Sequence, residues 1–266
     1  TTLMCRWLAY TGNDIYLERL LYEPDNSLTD QSLSAQESKW PTNGDGFGIG
    51  WYGSRDAPGL FRDVLPAWND ANLRNVSAQI SSPLFFAHVR ASTGTAISRS
   101  NCHPFRHEHR LFMHNGQIGG FETIRRHLLL AVDPSLFPEV QGSTDSELFF
   151  YLMLGNGLDS NPKAAFETTV GHVLNVMNEF SISEPFRMSA AFSDGVNIYA
   201  VRYASDAQAP TLYHGTLSSP DAAGGKLVVS EPLDEATGTW NAVPQSHYLR
   251  AGPDGVEVSA FTPSTG

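Results

Sequence analysis

Residues 44–53, GDGFGIGWYG, constrain the fold most tightly: Phe47, Ile49 and Trp51 alternate with glycines. A period of two assigns the large side chains to one face of a β-strand and the glycines to the other. A strand face without side chains leaves room for another layer, so something packs tightly against this backbone. The stretch is not a phosphate loop. The lysine and the Ser/Thr of G-x-x-x-x-G-K-[ST] are missing, and no helical pattern follows.

Other segments supply the remaining layers. Residues 6–10 read as a short strand broken by Thr11-Gly12-Asn13-Asp14, and residues 15–22 as a second strand or a short helix ended by Glu23-Pro24-Asp25-Asn26. Residues 27–42, rich in Ser and Gln, read as a surface loop. Leu73, Val76 and Ile80 give residues 69–80 a helical spacing with Asn69 as its cap. Residues 84–90 form a buried strand whose far end carries His88, Arg90, Ser92 and Thr93, and Leu111-Phe112-Met113 runs likewise into His114-Asn115-Gly116. Polar groups gathered where an apolar strand stops are typical of a site built on a rigid element. Residues 121–131 are an amphipathic helix, and Thr144 to Glu147 is a capping box opening a helix that is apolar on every side and therefore buried. A longer helix covers residues 163–180, and strands return at 188–192, 196–203, 227–229 and 248–258. Strands and helices in runs as well as in alternation predict layered sheets covered by helices, rather than a doubly wound parallel sheet.

With 266 residues, 41% hydrophobic and 17% charged, the chain can bury a real core as one globular domain, residues 1–266. A net charge of -11 disfavours nucleic-acid or anionic-membrane partners, which require a basic face. There is neither an apolar run of membrane-spanning length nor a basic-then-apolar N-terminal signal. Cys5 and Cys102 form no C-x-x-C pair, which favours free thiols in a reducing cytoplasm.

The chemistry centres on Met4-Cys5. Removal of Met4 would make Cys5 the first residue, giving one residue both a thiol nucleophile and an α-amino group that titrates near ~7.7–8.0, where a general base works best. The bland alternative is a small hydrophobe opening the first strand. An attacked amide also needs an oxyanion hole, which the side-chain amide of Asn115 and the backbone N–H of Gly116 can form. Arg90 offers a planar fork for a carboxylate, and Asp145, at the positive end of its helix, accepts from an ammonium. Together Cys5, Arg90, Asn115, Gly116 and Asp145 fit a substrate with a free α-amino acid end and a side-chain amide.

The ordered segments MCRWLAY at Met4, GDGFGIGW at Gly44, FAHVRAST at Phe86, NCHPF at Asn101, FMHNGQI at Phe112 and GSTDSE at Gly142 resemble those of the class II glutamine amidotransferases, which are N-terminal nucleophile hydrolases. SEPLD at Ser230, with Val243-Pro244, is similar to stand-alone members, notably the amidotransferase-like subunit of the glutathione-degrading complex. The resemblance implies an α+β, four-layer αββα sandwich of two antiparallel sheets. It also implies Cys5 as nucleophile, Asn115 and Gly116 as oxyanion hole, and Arg90, Thr93 and Asp145 as the clamp for a glutamyl head. The chain departs from synthase members in having Gly94 where they often carry histidine, and Thr1 to Met4 precede the cysteine.

Cys102, His103, His107, His109 and His114 could ligate zinc, but their spacing fits no familiar paired-ligand pattern, and His103 reads as a structural residue beside the site. No metal or cofactor is expected. The fold implied by the resemblance uses nearly the whole chain and leaves no acceptor domain for ammonia. The expected reaction is therefore cleavage of a γ-glutamyl amide (glutamine, glutathione or a related compound), by the chain itself or as a subunit working on a partner protein. Hydrolysis of a thiol-histidine intermediate of ergothioneine synthesis and a degenerate binding or scaffolding role are the alternatives.

Overall fold

The computed structural model describes residues 5–34, 43–91, 95–217, 222–234 and 240–264. The elements run β1 (Arg6–Tyr16), α1 (Glu18–Leu21), α2 (Leu28–Leu33), β2 (Phe47–Trp51), β3 (Gly59–Asp63), α3 (Ala71–Ser77), β4 (Ser81–Val89), β5 (Phe105–His107), β6 (Arg110–Gln117), α4 (Phe121–Leu130), α5 (Asp145–Gly155), α6 (Pro162–Glu179), β7 (Arg187–Ser193), β8 (Ile198–Ala204), β9 (Tyr213–Thr216), β10 (Lys226–Val229), β11 (Trp240–Ala242), β12 (His247–Gly252) and β13 (Gly255–Ala260). They build one sheet in the order β11-β9-β10-β1-β4-β2-β3 and another in the order β13-β12-β8-β7-β6-β5, antiparallel at every described pairing.

The alternation within each strand assembles four layers. Leu8, Tyr10, Phe47, Ile49, Phe85 and Ala87 turn outward from the first sheet to Leu20, Leu21, Leu28 and Leu73 of α1, α2 and α3. Phe112, Ala190, Phe192 and Val201 turn outward from the second sheet to α4, α5 and α6. Between the sheets lie Trp7, Ala9, Phe86, Leu111, Met113, Ala191, Ala200 and Leu249. Burying each larger apolar side chain contributes about 1.5–3 kcal/mol, and the opposite parities on one strand tie both layers of contact to the same backbone. The fold is the expected αββα sandwich.

The glycine face of β2 is where the sheets come closest. A Cβ on Gly48 would lie 2.1 Å from the carbonyl oxygen of His103, and one on Gly50 would lie 2.9 Å from both Leu111 and Pro104. Next to this contact, His88 of β4 stacks on His103 with ring centroids 4.3 Å apart, and His103 meets Phe105 edge-on at 4.6 Å. Burial pushes the His88 imidazole down to about 3, against a hydrogen bond to the His114 backbone and with the Arg90 charge adding to the fall, and burial likewise holds His103 well below the usual histidine range.

Several local expectations change. β1 continues through Thr11-Gly12-Asn13-Asp14 to Tyr16, with its register against β4 shifting between Thr11 and Ile15, so the turn residues make an irregularity instead of an end. Residues 15–22 divide between the end of β1 and α1. The expected surface loop at 27–42 contains α2, capped by Ser27; Thr29, Gln31 and Ser32 are buried because each donates to a local carbonyl, Thr29 to Leu21 at 2.6 Å, Gln31 to Asn26 at 2.9 Å and Ser32 to Thr29 at 2.6 Å. Residues 35–42 lie outside the described residues. Asp70, not Asn69, caps α3, accepting from Leu73 N–H at 2.7 Å. Thr144 caps α5 as expected, but the Glu147 carboxylate accepts from the N–H groups of Gln141 and Gly142. Residues 248–258 are a hairpin, β12 and β13, because Pro253-Asp254 turns the chain and Gly255 follows at φ +119°.

Two measurements check this packing. Gly48→Ala should lower unfolding stability by about 1–3 kcal/mol, the usual cost of overpacking, whereas Gly53→Ala, where a Cβ meets nothing within 4 Å, should behave like the parent. Folded His88 stays neutral down to about 3 while the unfolded residue titrates near 6.5. Below the unfolded value the unfolded chain binds more protons, so His88 contributes a loss of stability as pH falls from 6.5 toward 3. In urea titrations His88→Gln should therefore flatten the acid-side slope by up to about 1.4 kcal/mol per pH unit.

Candidate active site

The candidate residues collect where strand ends of both sheets meet the start of a helix. Cys5 immediately precedes β1, whose first residue, Arg6, pairs with Val89; Arg90 and Ala91 therefore arrive beside Cys5 from the end of β4. Asn115 and Gly116 lie near the end of β6, and Asp145 is the first residue of α5. Cys5, Arg90, Asn115, Gly116 and Asp145 line one cavity of about 50 Å³, together with Ala91, Thr95, His103, His114, Thr144 and Ser146. Thr93 lies outside the described residues.

Cys5 is half-buried and unpaired. Its Sγ is 3.4 Å from the Ala91 nitrogen, which donates to it, and 3.5 Å from the Ala91 carbonyl oxygen. Burial pushes the thiol up; the Ala91 N–H and the charges of Arg90 and Arg6 oppose the rise, and Asp145 adds to it. The net effect is upward, so the resting group is a thiol, and a nucleophilic role requires a base to take its proton. Cys102, the other cysteine, is buried with its Sγ 3.4 Å from the carbonyl oxygens of Asp63 and Ser98, and burial raises its thiol as well.

The surrounding groups are held by contacts that leave them facing the cavity. Arg90, 4% exposed, donates to Thr95 Oγ1 at 2.6 Å and to the carbonyls of Asp45 and Ala96 at 3.3 and 3.4 Å. Backbone bonds between Arg90 and the Asp45-Gly46 turn fix its position. Asp145 accepts from the N–H of Ile118 through Oδ2 and from the N–H of Ser146 through Oδ1, both at 2.8 Å. It thus ties the start of α5 to the end of β6. Gly116 sits at φ +148°, and a Cβ there would lie 2.0 Å from the Arg187 carbonyl oxygen, so this end of β6 accepts no side chain. His114 Nδ1 is 2.8 Å from Ser146 Oγ; burial lowers its imidazole, against the pull of Asp145. Such an arrangement presents a thiol, a cation, an anion and a glycine strand end to one small molecule.

The chemical pattern found Cys5, Arg90, Asn115, Gly116 and Asp145, and the structure brings all five together. It missed Thr95, which steadies Arg90, and Ala91, whose N–H reaches the thiol; neither residue type carries a chemical signal in sequence. His103, expected beside the site, lines it. His107 instead faces Glu139 at 3.4 Å. Among the described residues no helix is long and apolar enough to cross a membrane.

The family model for class-II glutamine amidotransferases matches residues 22–212. The probable glutamine amidotransferase DUG3 of Saccharomyces cerevisiae is 34% identical over 92% of this chain and 81% of its own length. A γ-glutamyl-hercynylcysteine sulfoxide hydrolase of Mycobacterium tuberculosis is 27% identical over 99% of both chains. Among solved structures, a glutamine aminotransferase class-II domain protein from Silicibacter pomeroyi superposes with a TM-score of 0.78 at 36% identity, covering 97% of this chain and 100% of that one. This chain belongs to the class-II glutamine amidotransferases.

Proposed function

We propose that this chain hydrolyses a γ-glutamyl amide through a γ-glutamyl thioester on Cys5, with residues 1–266 acting as a single amidotransferase domain. The observation that carries this reading is the convergence of Cys5, Arg90, Asn115, Gly116 and Asp145 on one small cavity. The α-carboxylate of the glutamyl head meets Arg90, and its ammonium meets Asp145, with Thr93 as a further contact. These contacts direct the γ-carbonyl to Cys5. Attack by sulfur moves charge onto the carbonyl oxygen, which the amide of Asn115 and the N–H of Gly116 stabilise. The leaving amine departs with a proton, and water then releases glutamate and restores the thiol.

The base is the α-amino group of Cys5. Because burial keeps the thiol protonated, an amine titrating near ~8 is well matched to receive the proton and return it to the leaving group. With Thr1 to Met4 attached, that nitrogen is an amide and has no basic lone pair. The working form therefore begins at Cys5. The substrates named for the relatives, glutamine and a γ-glutamyl cysteine-derived sulfoxide, share the glutamyl head that the cavity would hold and differ in the leaving group. A partner protein fits a chain that receives or passes on the leaving group, and two free thiols fit a reducing cytoplasm.

Cys5→Ala should abolish turnover of glutamine, glutathione and other γ-glutamyl compounds while circular dichroism stays like the parent's; retained activity, or loss instead in Cys102→Ala, contradicts the mechanism. Arg90→Ala should raise KM about ten- to a hundred-fold for a free α-carboxylate, matching a charge-assisted pair of roughly 1.5–3 kcal/mol. It should change little for the α-ester, and equal loss on both substrates would make Arg90 structural. Preparations of confirmed mass beginning at Thr1 and at Cys5 should differ, the first nearly inactive; equal turnover requires another base.

A further inference from the structure

A buried ion pair stands directly behind Cys5. Arg6, fully buried, donates through Nε to Glu231 Oε2 at 2.7 Å and through Nη1 to the Cys5 carbonyl oxygen at 3.0 Å. Glu231, 2% exposed, is held in turn by Asn26, whose Nδ2 lies 3.2 Å from Glu231 Oε1 and 2.7 Å from the Pro232 carbonyl oxygen. The segment carrying Glu231 is fixed to β1, because Ser230 N–H donates to the Trp7 carbonyl at 3.0 Å and Ser230 Oγ accepts from Trp7 N–H at 2.9 Å. Two distant stretches, at Asn26 and at Ser230-Glu231-Pro232, thus converge on the segment whose Arg6 side chain reaches the Cys5 main chain.

That convergence matters because of what Cys5 must leave unbound. If its nitrogen is to act as a base, it cannot also be an anchored strand donor, and the carbonyl becomes the main-chain handle through which the residue can be held. We propose that the Arg6–Glu231 pair is a positioning clamp, fixing the Cys5 carbonyl so that sulfur and amine keep their orientation to the cavity. This inference rests on the reading of Cys5 as the nucleophile. Arginine suits the task because its rigid fork can engage two acceptors at fixed angles, whereas a lysine is a point donor. The positive charge also favours the thiolate, together with Arg90 and against Asp145; His103 and His114 face the same cavity.

A purely structural ion pair behaves differently from a clamp. Buried ion pairs can be replaced by apolar residues of similar volume at little cost in stability, so Arg6→Met with Glu231→Leu should preserve the fold. In a chain beginning at Cys5, a clamp predicts for this double variant a kcat lowered roughly ten- to a hundred-fold with KM near the parent's, the penalty of a misplaced reacting group. The pH profile of Cys5 alkylation by iodoacetamide, read by peptide mass, should move to higher pH, because of the two charges removed it is the Arg6 cation that acts on the thiol and favours the thiolate. Arg6→Lys should keep the parent's alkylation profile and lose part of kcat. A folded double variant with the parent's kcat and alkylation profile overturns the clamp. If the double variant does not fold, Arg6→Lys decides: lowered kcat at an unchanged melting temperature supports the clamp, and the parent's kcat overturns it. A parent with no γ-glutamyl turnover defeats the underlying reading instead, while the alkylation profiles still report whether Arg6 acts on Cys5.

Discussion

The close approach of the two sheets over the glycine face of β2 is the contact on which the rest of this structure depends. With a Cβ on Gly48 placed 2.1 Å from the His103 carbonyl oxygen, any side chain there must push the sheets apart or displace the segment leading to β5. That segment carries His103 into the wall of the cavity, and the neighbouring β6 carries Asn115 and Gly116. Cys5 and Arg90 flank β1 and β4 of the opposite sheet. The distance between Cys5 and Gly116 at the end of β6 is therefore set by the spacing between layers, which the absence of side chains on Gly48 and Gly50 makes small. Interiors packed at crystal-like density transmit such a constraint with little slack.

Around this geometry the charges are arranged by burial. Burial keeps the stacked His88 and His103 rings neutral, so this pair adds no positive charge beside the site. The cations that act on the Cys5 thiol are instead Arg90, held by Thr95, and Arg6, held by Glu231, and Asp145 supplies the opposing charge. Burial outweighs both arginines and keeps sulfur protonated at rest. This is an unreactive thiol until a base is available beside it, which links the chemistry to the state of the Cys5 nitrogen.

What the sequence disclosed follows from how local each signal is. The alternation of Phe47, Ile49 and Trp51 with glycine requires no tertiary knowledge, and it correctly announced a tightly covered strand. The all-round apolar pattern after Thr144 likewise announced a buried helix. The short strands β3, β5, β9 and β11 escaped because they bury almost nothing, only Phe105 and Gly215 being buried among them, so no apolar alternation marks them. Helix α2 escaped because Thr29, Gln31 and Ser32 look solvent-facing until their carbonyl partners are known. At the site, charged and nucleophilic residues were legible from chemistry, whereas the Ala91 N–H could be found only once β4 had been laid beside β1. The register that joins Arg6 to Val89 is a nonlocal fact, and so is the reach of Glu231 back to Arg6.

The central claim is that the γ-glutamyl group passes through sulfur on Cys5 when that residue is the first of the chain. The most direct measurement is rapid acid quenching of the chain beginning at Cys5 during turnover of glutamine or glutathione, followed by peptide mass analysis. The account predicts a mass increment of one γ-glutamyl group on the peptide that starts with Cys5, removed by hydroxylamine as a thioester is, and none on the peptide containing Cys102. Steady turnover with no such adduct under any quench time, or an adduct on another residue, would contradict it.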